Sequence, residues 1–260
     1  MKKEKKKITS LLLICLLAFV TLTGCGGAGS DSASAVSESE NSQQDLASYE
    51  AGSDVTDTQK DAAQSAVNYV NIFHDSKQGV YDQLTEFDGV TPEDAQYAVD
   101  NITVDWNVVA LAAAESYLDT GSFSKQRLFD QLTSDYANKF LPEEAQYAID
   151  NLDVDWNAEA LEAAESYLDT GSFSEQGLYD QLTSTAADEF TAEEAQYALD
   201  NVEADWNEEA LEAAESYYDM GMTDLNEIYN QITSAYADKF TADQAQYAID
   251  NLDPSTLNAQ

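Results

Sequence analysis

The stretch AEEAQYALDNVEADWNEEALEAAESY, residues 192–217, decides the fold, because versions of it recur along the chain. AQYA begins at Ala95, Ala145, Ala195 and Ala245, each time followed two residues later by Asp-Asn. Tryptophan recurs at Trp106, Trp156 and Trp206, and DQLT or NQIT begins at Asp82, Asp130, Asp180 and Asn230. Self-similarity with a period of about fifty residues marks a tandem array of supersecondary units, in which neighbours cover each other's apolar faces. The units read as residues 59–107, 108–157, 158–207 and 208–260.

Repeat 3 displays the local logic. Asn157 is placed to cap a helix that runs through Leu161, Ala164, Tyr167 and Leu168, with Gly171 as a left-handed cap at its end. Ser174 caps a second helix carrying Leu178, Tyr179 and Leu182 on one face. Thr191 and Glu194 form a capping box for a third helix, with Ala195, Ala198, Leu199 and Val202 on its apolar face. Thr241 with Gln244 repeats the box, and Pro92 and Pro142 fall where a first-turn proline is tolerated. Alternating apolar patterns are almost absent. The prediction is an all-α array of four three-helix units, the last two helices of each arranged like a helix-turn-helix.

The tryptophans fall only at the three internal junctions. Trp106, Trp156 and Trp206 are therefore expected to be buried between adjacent units, where a large apolar ring fixes relative orientation.

Ahead of the repeats, MKKEKKK precedes an apolar run from Ile8 to Leu22, the pattern of a secretory signal and too short for a good membrane span. Leu22-Thr23-Gly24-Cys25 closes the run like a bacterial lipobox, which implies cleavage before Cys25 and lipidation of it. Loss of residues 1–24 takes five of 11 basic and one of 50 acidic residues, leaving 6 against 49, a net charge of −43. Cys25 is then the sole cysteine, so neither an intramolecular disulfide nor a thiolate metal cluster is expected. Residues 25–58, rich in Gly, Ser and acids, read as a flexible tether spanning roughly 30 Å r.m.s.. Tether flexibility and self-repelling charge favour a monomer.

Several chemistries fail on the residues. Asp153-Val154-Asp155-Trp156-Asn157 imitates half a calcium loop, but Ala158 stands at the glycine position and Ala164 at the terminal glutamate position. Residues 162–211 hold 14 acids and no base, which excludes phosphate contacts and hence nucleic acid. His74 is the single histidine, without a nucleophile partner in the repeat pattern. Neither cofactor nor metal is expected, and no enzyme. What remains is the acidic face, exemplified by Glu193, Glu194, Glu208 and Glu209, which would steer and hold a basic protein segment.

SKQGVYDQLT from Ser76, SEQGLYDQLTS from Ser174, FTAEEAQYALDN from Phe190 and ADWNEEAL from Ala204 resemble the repeats of the host cell surface-exposed lipoprotein (Ltp) family. The resemblance covers residues 59–252. It implies display on the outer face of the bacterial cytoplasmic membrane, lipidation transferring to Cys25 alone. It also implies superinfection exclusion: blocking phage DNA injection, with the phage tape-measure protein as partner. The alternative is a structural lipoprotein for surface adhesion or cell-wall binding. Repeat 4 reads MGMTDLNEIYNQIT where repeat 3 has TGSFSEQGLYDQLT, which suits a cap for the array.

Overall fold

A computed structural model describes residues 45–253 and Ser255. The segment read as a signal, Cys25 and most of the segment read as a tether lie outside the described residues. Twelve α-helices form four three-helix repeats: α1 (Asp57–Phe73), α2 (Lys77–Asp82), α3 (Pro92–Asn101); α4 (Trp106–Leu118), α5 (Lys125–Thr133), α6 (Pro142–Asn151); α7 (Trp156–Thr170), α8 (Glu175–Thr183), α9 (Ala192–Asn201); and α10 (Trp206–Asp219), α11 (Leu225–Thr233), α12 (Ala242–Asn251). In repeat 1, α2 runs directly into a π turn, Gln83–Phe87.

Each repeat packs its first helix against its third most extensively. Alanine makes this approach possible: Ala160, Ala164, Ala195 and Ala198 are fully buried at the interface of α7 and α9. The middle helix closes the triangle with two fully buried branched residues, Leu178 and Leu182 in repeat 3, Ile228 and Ile232 in repeat 4. Each such side chain contributes about 1.5–3 kcal/mol by leaving water.

Helix entrances follow the expected capping chemistry in most places. Ser174 accepts a hydrogen bond from Gly177 N at 3.0 Å, and the Thr191–Glu194 and Thr241–Gln244 boxes are both complete. Pro92 and Pro142 each open a helix. Two expectations are corrected. The cap of α7 is Asp155, which accepts from Asn157 N at 3.0 Å, so the helix begins at Trp156 and the tryptophan opens repeat 3. Gly171 is extended, with φ −160°, and supplies no left-handed cap. In repeats 1 and 4 the first helix does end at a left-handed residue, His74 (φ 55°) or Gly221 (φ 99°), but the position left-handed in all four repeats lies one helix later: Gly89, Lys139, Glu189 and Lys239, with φ between 56° and 69°. There the chain must double back so that the next residue bonds the middle helix, as Phe190 N does to Leu182 O at 2.8 Å. Glycine takes this conformation freely in repeat 1, whereas the other three positions carry charged residues at some steric cost.

The tether is shorter than its sequence suggests. Ala47–Ser48 (β1) pairs antiparallel with Thr103–Val104 (β2), Ala47 against Val104 and Ser48 against Thr103. Asn71 of α1 holds the strand from the other side, its Oδ1 accepting from Ala47 N at 2.8 Å and its Nδ2 donating to Ala47 O at 3.0 Å. Ala47 is buried, and Leu46 and Tyr49 pack on the core. Residues 46–49 are therefore a clasp on repeat 1 and not part of a free linker. Counting back from the caps of the middle helices (Ser76, Ser124, Ser174 and Asp224), repeats 2 to 4 have Asp119, Asp169 and Asp219 where repeat 1 has Asn71. Only the amide can donate and accept at once.

Candidate functional site

The repeats are joined by one motif, built three times. The hydroxyls of Ser76, Ser124 and Ser174, all essentially buried, donate to the backbone carbonyls of Asn138, Asp188 and Asp238 in the following repeat. The same oxygens accept from the amides of Gly79, Arg127 and Gly177, so each serine caps its own helix and bonds its neighbour. An ion pair flanks each bond. Lys139 Nζ lies 2.5 Å from Asp82 Oδ2, and Lys239 pairs with Asp180. At the middle junction the polarity is reversed: Arg127 Nε stands 3.7 Å from Glu189 Oε2 and also donates to Ala187 O.

The junctions differ in apolar content too. Glu159 and Glu209, in the first turns of α7 and α10, accept from the amides of Phe123 and Phe173 in the preceding repeat, at 3.2 and 3.3 Å. Burial pushes Glu159 up from the usual carboxylate range. The corresponding residue of repeat 2 is the fully buried Val109, and the cores of repeats 1 and 2 form one continuous cluster. Repeats 3 and 4 keep separate clusters.

The tryptophans are half-buried, not fully enclosed as expected from the sequence. Trp206 opens α10 of repeat 4 and packs on the cluster of repeat 3. Trp156 packs on the cluster of repeats 1 and 2, with Lys125 Nζ 5.4 Å from its ring centroid. Trp106 packs on that same cluster. Partial burial of a large amphipathic ring suits indole.

The four acids singled out from the sequence have unequal duties. Glu194 closes its capping box, accepting from Thr191 N at 2.9 Å, and Glu209 belongs to the junction with repeat 3. Glu208 accepts from Tyr247 Oη at 2.6 Å on an exposed surface, and Glu193 is exposed at the start of α9. The structure thus places them at the beginnings of two helices and commits two of them to the fold. The charge around them is dense. Glu215 is pushed up first by burial and then by Glu212, Asp219 and Glu208 nearby. Repeat 3, residues 155–202, carries 12 acids and no base; repeat 4, residues 205–252, carries 11 acids and Lys239.

Shallow grooves lie beside the junctions. The one between repeats 3 and 4, about 390 Å³, is lined by Glu175, Gln176, Tyr179, Gln196, Leu199 and Lys239, among others. A second, about 530 Å³, includes Lys125, Phe129, Ile149 and Trp156. They combine charged and amide side chains, donors as well as acceptors, with apolar walls.

His74 has a partner that the repeat pattern did not reveal. Its Nδ1 lies 3.0 Å from Ser116 Oγ, across the first junction. That hydroxyl donates to Ala112 O at 2.9 Å, so its proton is directed away from the imidazole. His74 itself caps α1 at φ 55°, and burial pushes its pKa down. The pair reads as a contact between repeats and not as an activated nucleophile. Among the described residues no group of three or more His, Cys, Asp or Glu could hold a metal ion, and no helix is long and apolar enough to cross a membrane.

Comparison with known proteins agrees with the repeat boundaries seen in the helices. The model of a family described as host cell surface-exposed lipoprotein matches residues 57–102, 105–152, 155–202 and 205–252. No curated protein matches the chain. Among solved structures, Ltp, a superinfection exclusion protein from the Streptococcus thermophilus temperate phage TP-J34, is 39% identical. The match covers 38% of this chain and 98% of that one, with a TM-score of 0.36.

Proposed function

Because the chain belongs to the host cell surface-exposed lipoprotein family, we propose that it guards the outer face of the cytoplasmic membrane against phage. In this reading Cys25 carries the lipid, and the array captures a cationic phage protein before DNA crosses the membrane. The candidate partner is the tape-measure protein, and the outcome is superinfection exclusion.

The supporting observation is the distribution of charge. Repeats 1 and 2 contain five of the six basic residues that follow the signal segment: Lys60, Lys77, Lys125, Arg127 and Lys139. Repeat 3 contains none. Such a field raises the encounter rate with a basic segment and weakens with salt. Nucleic acid is repelled by the same field, so the protein partner and not the DNA is the target.

The test is neutralisation of acids that the fold does not use. Glu162→Gln, Glu165→Gln and Glu193→Gln alter exposed positions of repeat 3. The combined variant should fold and reach the surface normally, yet protect cells less against phage. Full protection by the folded variant would remove the electrostatic basis. Altered surface attachment with no phage phenotype would favour an adhesive or cell-wall-binding lipoprotein instead.

A further inference from the structure

Among the described residues, one face of the array has no repeat packed on it. In repeats 2 to 4 the turn after the middle helix docks on the preceding repeat, accepting the bond from Ser76, Ser124 or Ser174. The corresponding turn of repeat 1 is the π turn, and no described repeat precedes it. Phe87 at its end is 73% exposed, and nearby α1 ends on Ile72 and Phe73, 64% and 61% exposed. Tyr69 connects the two segments. Its ring centroid is 6.1 Å from that of Phe73, and its hydroxyl lies 3.0 Å from each carboxylate oxygen of Asp88. Asp75 stands close enough to contribute, with Asp88, to holding the Tyr69 hydroxyl up at about 12, where burial is the first cause.

The apolar pair is not a requirement of the fold. Counted back from the cap serines, repeats 2 and 3 have Thr120-Gly121 and Thr170-Gly171 where repeat 1 has Ile72-Phe73. The helices before them form equally well. Exposing two phenylalanines and an isoleucine in water has no local compensation, whereas aromatic anchors inside a charged rim are the usual make-up of an interface centre. Here the rim is anionic: Glu86 and Asp88, both exposed, flank Phe87 in the chain.

We propose that this face of repeat 1 docks an amphipathic, lysine-rich helix, its apolar stripe on Phe73, Ile72 and Phe87 and its lysines on the flanking carboxylates. The proposal rests on the cationic-partner reading above and narrows it to one end of the array. The strongly acidic repeats 3 and 4 then act by attraction at a distance, and repeat 1 supplies the apolar contact.

The test uses the full-length protein in detergent micelles and two synthetic peptides of equal charge: an amphipathic leucine–lysine helix and a lysine peptide without apolar residues. The variants are Ile72→Thr/Phe73→Gly, which installs the residues of repeats 2 and 3, and separately Phe87→Ala. Each should weaken the amphipathic peptide about tenfold or more and leave the lysine peptide unchanged. The second variant keeps the test valid should the first lose its fold. Equal affinity of variant and parent for the amphipathic peptide would overturn the docking face while leaving the electrostatic reading intact. Failure of the parent to bind either peptide would overturn both. A change of oligomeric state in the variants would identify a second copy as the occupant and overturn the helix.

Discussion

Replacing Ser174 separates the two duties of the junction serine. It is only 2% exposed, caps α8 through Gly177 N, and donates to Asp238 O in repeat 4. Ser174→Ala removes a cap, at about 1 kcal/mol. It also leaves the part-buried Asp238 carbonyl without its donor, at about 1–2 kcal/mol more. The expected loss is about 2–3 kcal/mol in all. Repeat 4 supplies the internal control. Asp224 occupies the equivalent place, is exposed, and caps α11 through Asn226 N at 2.8 Å with no described repeat beyond it. Asp224→Ala should therefore cost only about 1 kcal/mol. The decisive substitution is Ser174→Asp, which keeps an excellent cap but turns a carboxylate toward the Asp238 carbonyl. It should be worse than alanine. Urea unfolding followed by circular dichroism measures all three, and hydrogen exchange locates the loss in repeats 3 and 4. If Ser174→Asp is as stable as the parent, the serine is only a cap and the junction argument fails.

Other consequences can be checked as directly. Glu189→Lys should destabilise the middle junction by about 1 kcal/mol or more by placing two cations together, and Arg127→Gly added to it should recover most of the loss, recreating the polarity of the outer junctions; purely additive effects in a double-mutant cycle would contradict this. Asn71→Asp, the residue of the other three repeats, should release the clasp at about 1–2 kcal/mol of local opening, seen as faster exchange at the Ala47 amide, whereas unchanged exchange there would show that the strand pairing suffices. Burial pushes Asp75 up to about 6, and Asp188, Asp238, Glu144 and Glu159 are also raised, in each case by burial first. These carboxyls take up protons in the folded array while the unfolded chain has lost them. Their destabilisation is full above the folded pKa, eases as pH falls through it, and disappears below about 4. The melting temperature should accordingly rise from pH 7 to pH 5. Asp75→Asn should flatten that rise, its share being at most about 3 kcal/mol and less through solvent screening. A melting temperature that falls over the same interval would be the contrary result.

The repeats, the helices and most caps were legible because they depend on residues close in sequence: Ser174 with Gly177, Thr191 with Glu194, the spacing of Leu178 and Leu182. What escaped sequence reading depends on a second strand or repeat lying alongside. Asn71 is an ordinary helix residue until the Ala47 backbone is beside it. Glu189 and Arg127 are two more charges until the opposite signs at Lys139 and Asp82 show that they answer each other. The left-handed turn was sought at a glycine, Gly171, yet tertiary closure of Phe190 onto Leu182 imposes it on Glu189. Comparison between repeats held some of these signals, since Gly79, Arg127 and Gly177 vary together with Lys139, Glu189 and Lys239. The acidic face was legible as composition, but which acids are free to bind was not, because Glu194 and Glu209 are spent on capping and on a junction.

The measurement closest to the central claim is phage challenge of cells with and without this protein, scoring adsorption and DNA injection separately. Capture of an incoming phage protein at the membrane predicts normal adsorption and blocked injection. Normal injection across a broad phage panel would contradict it.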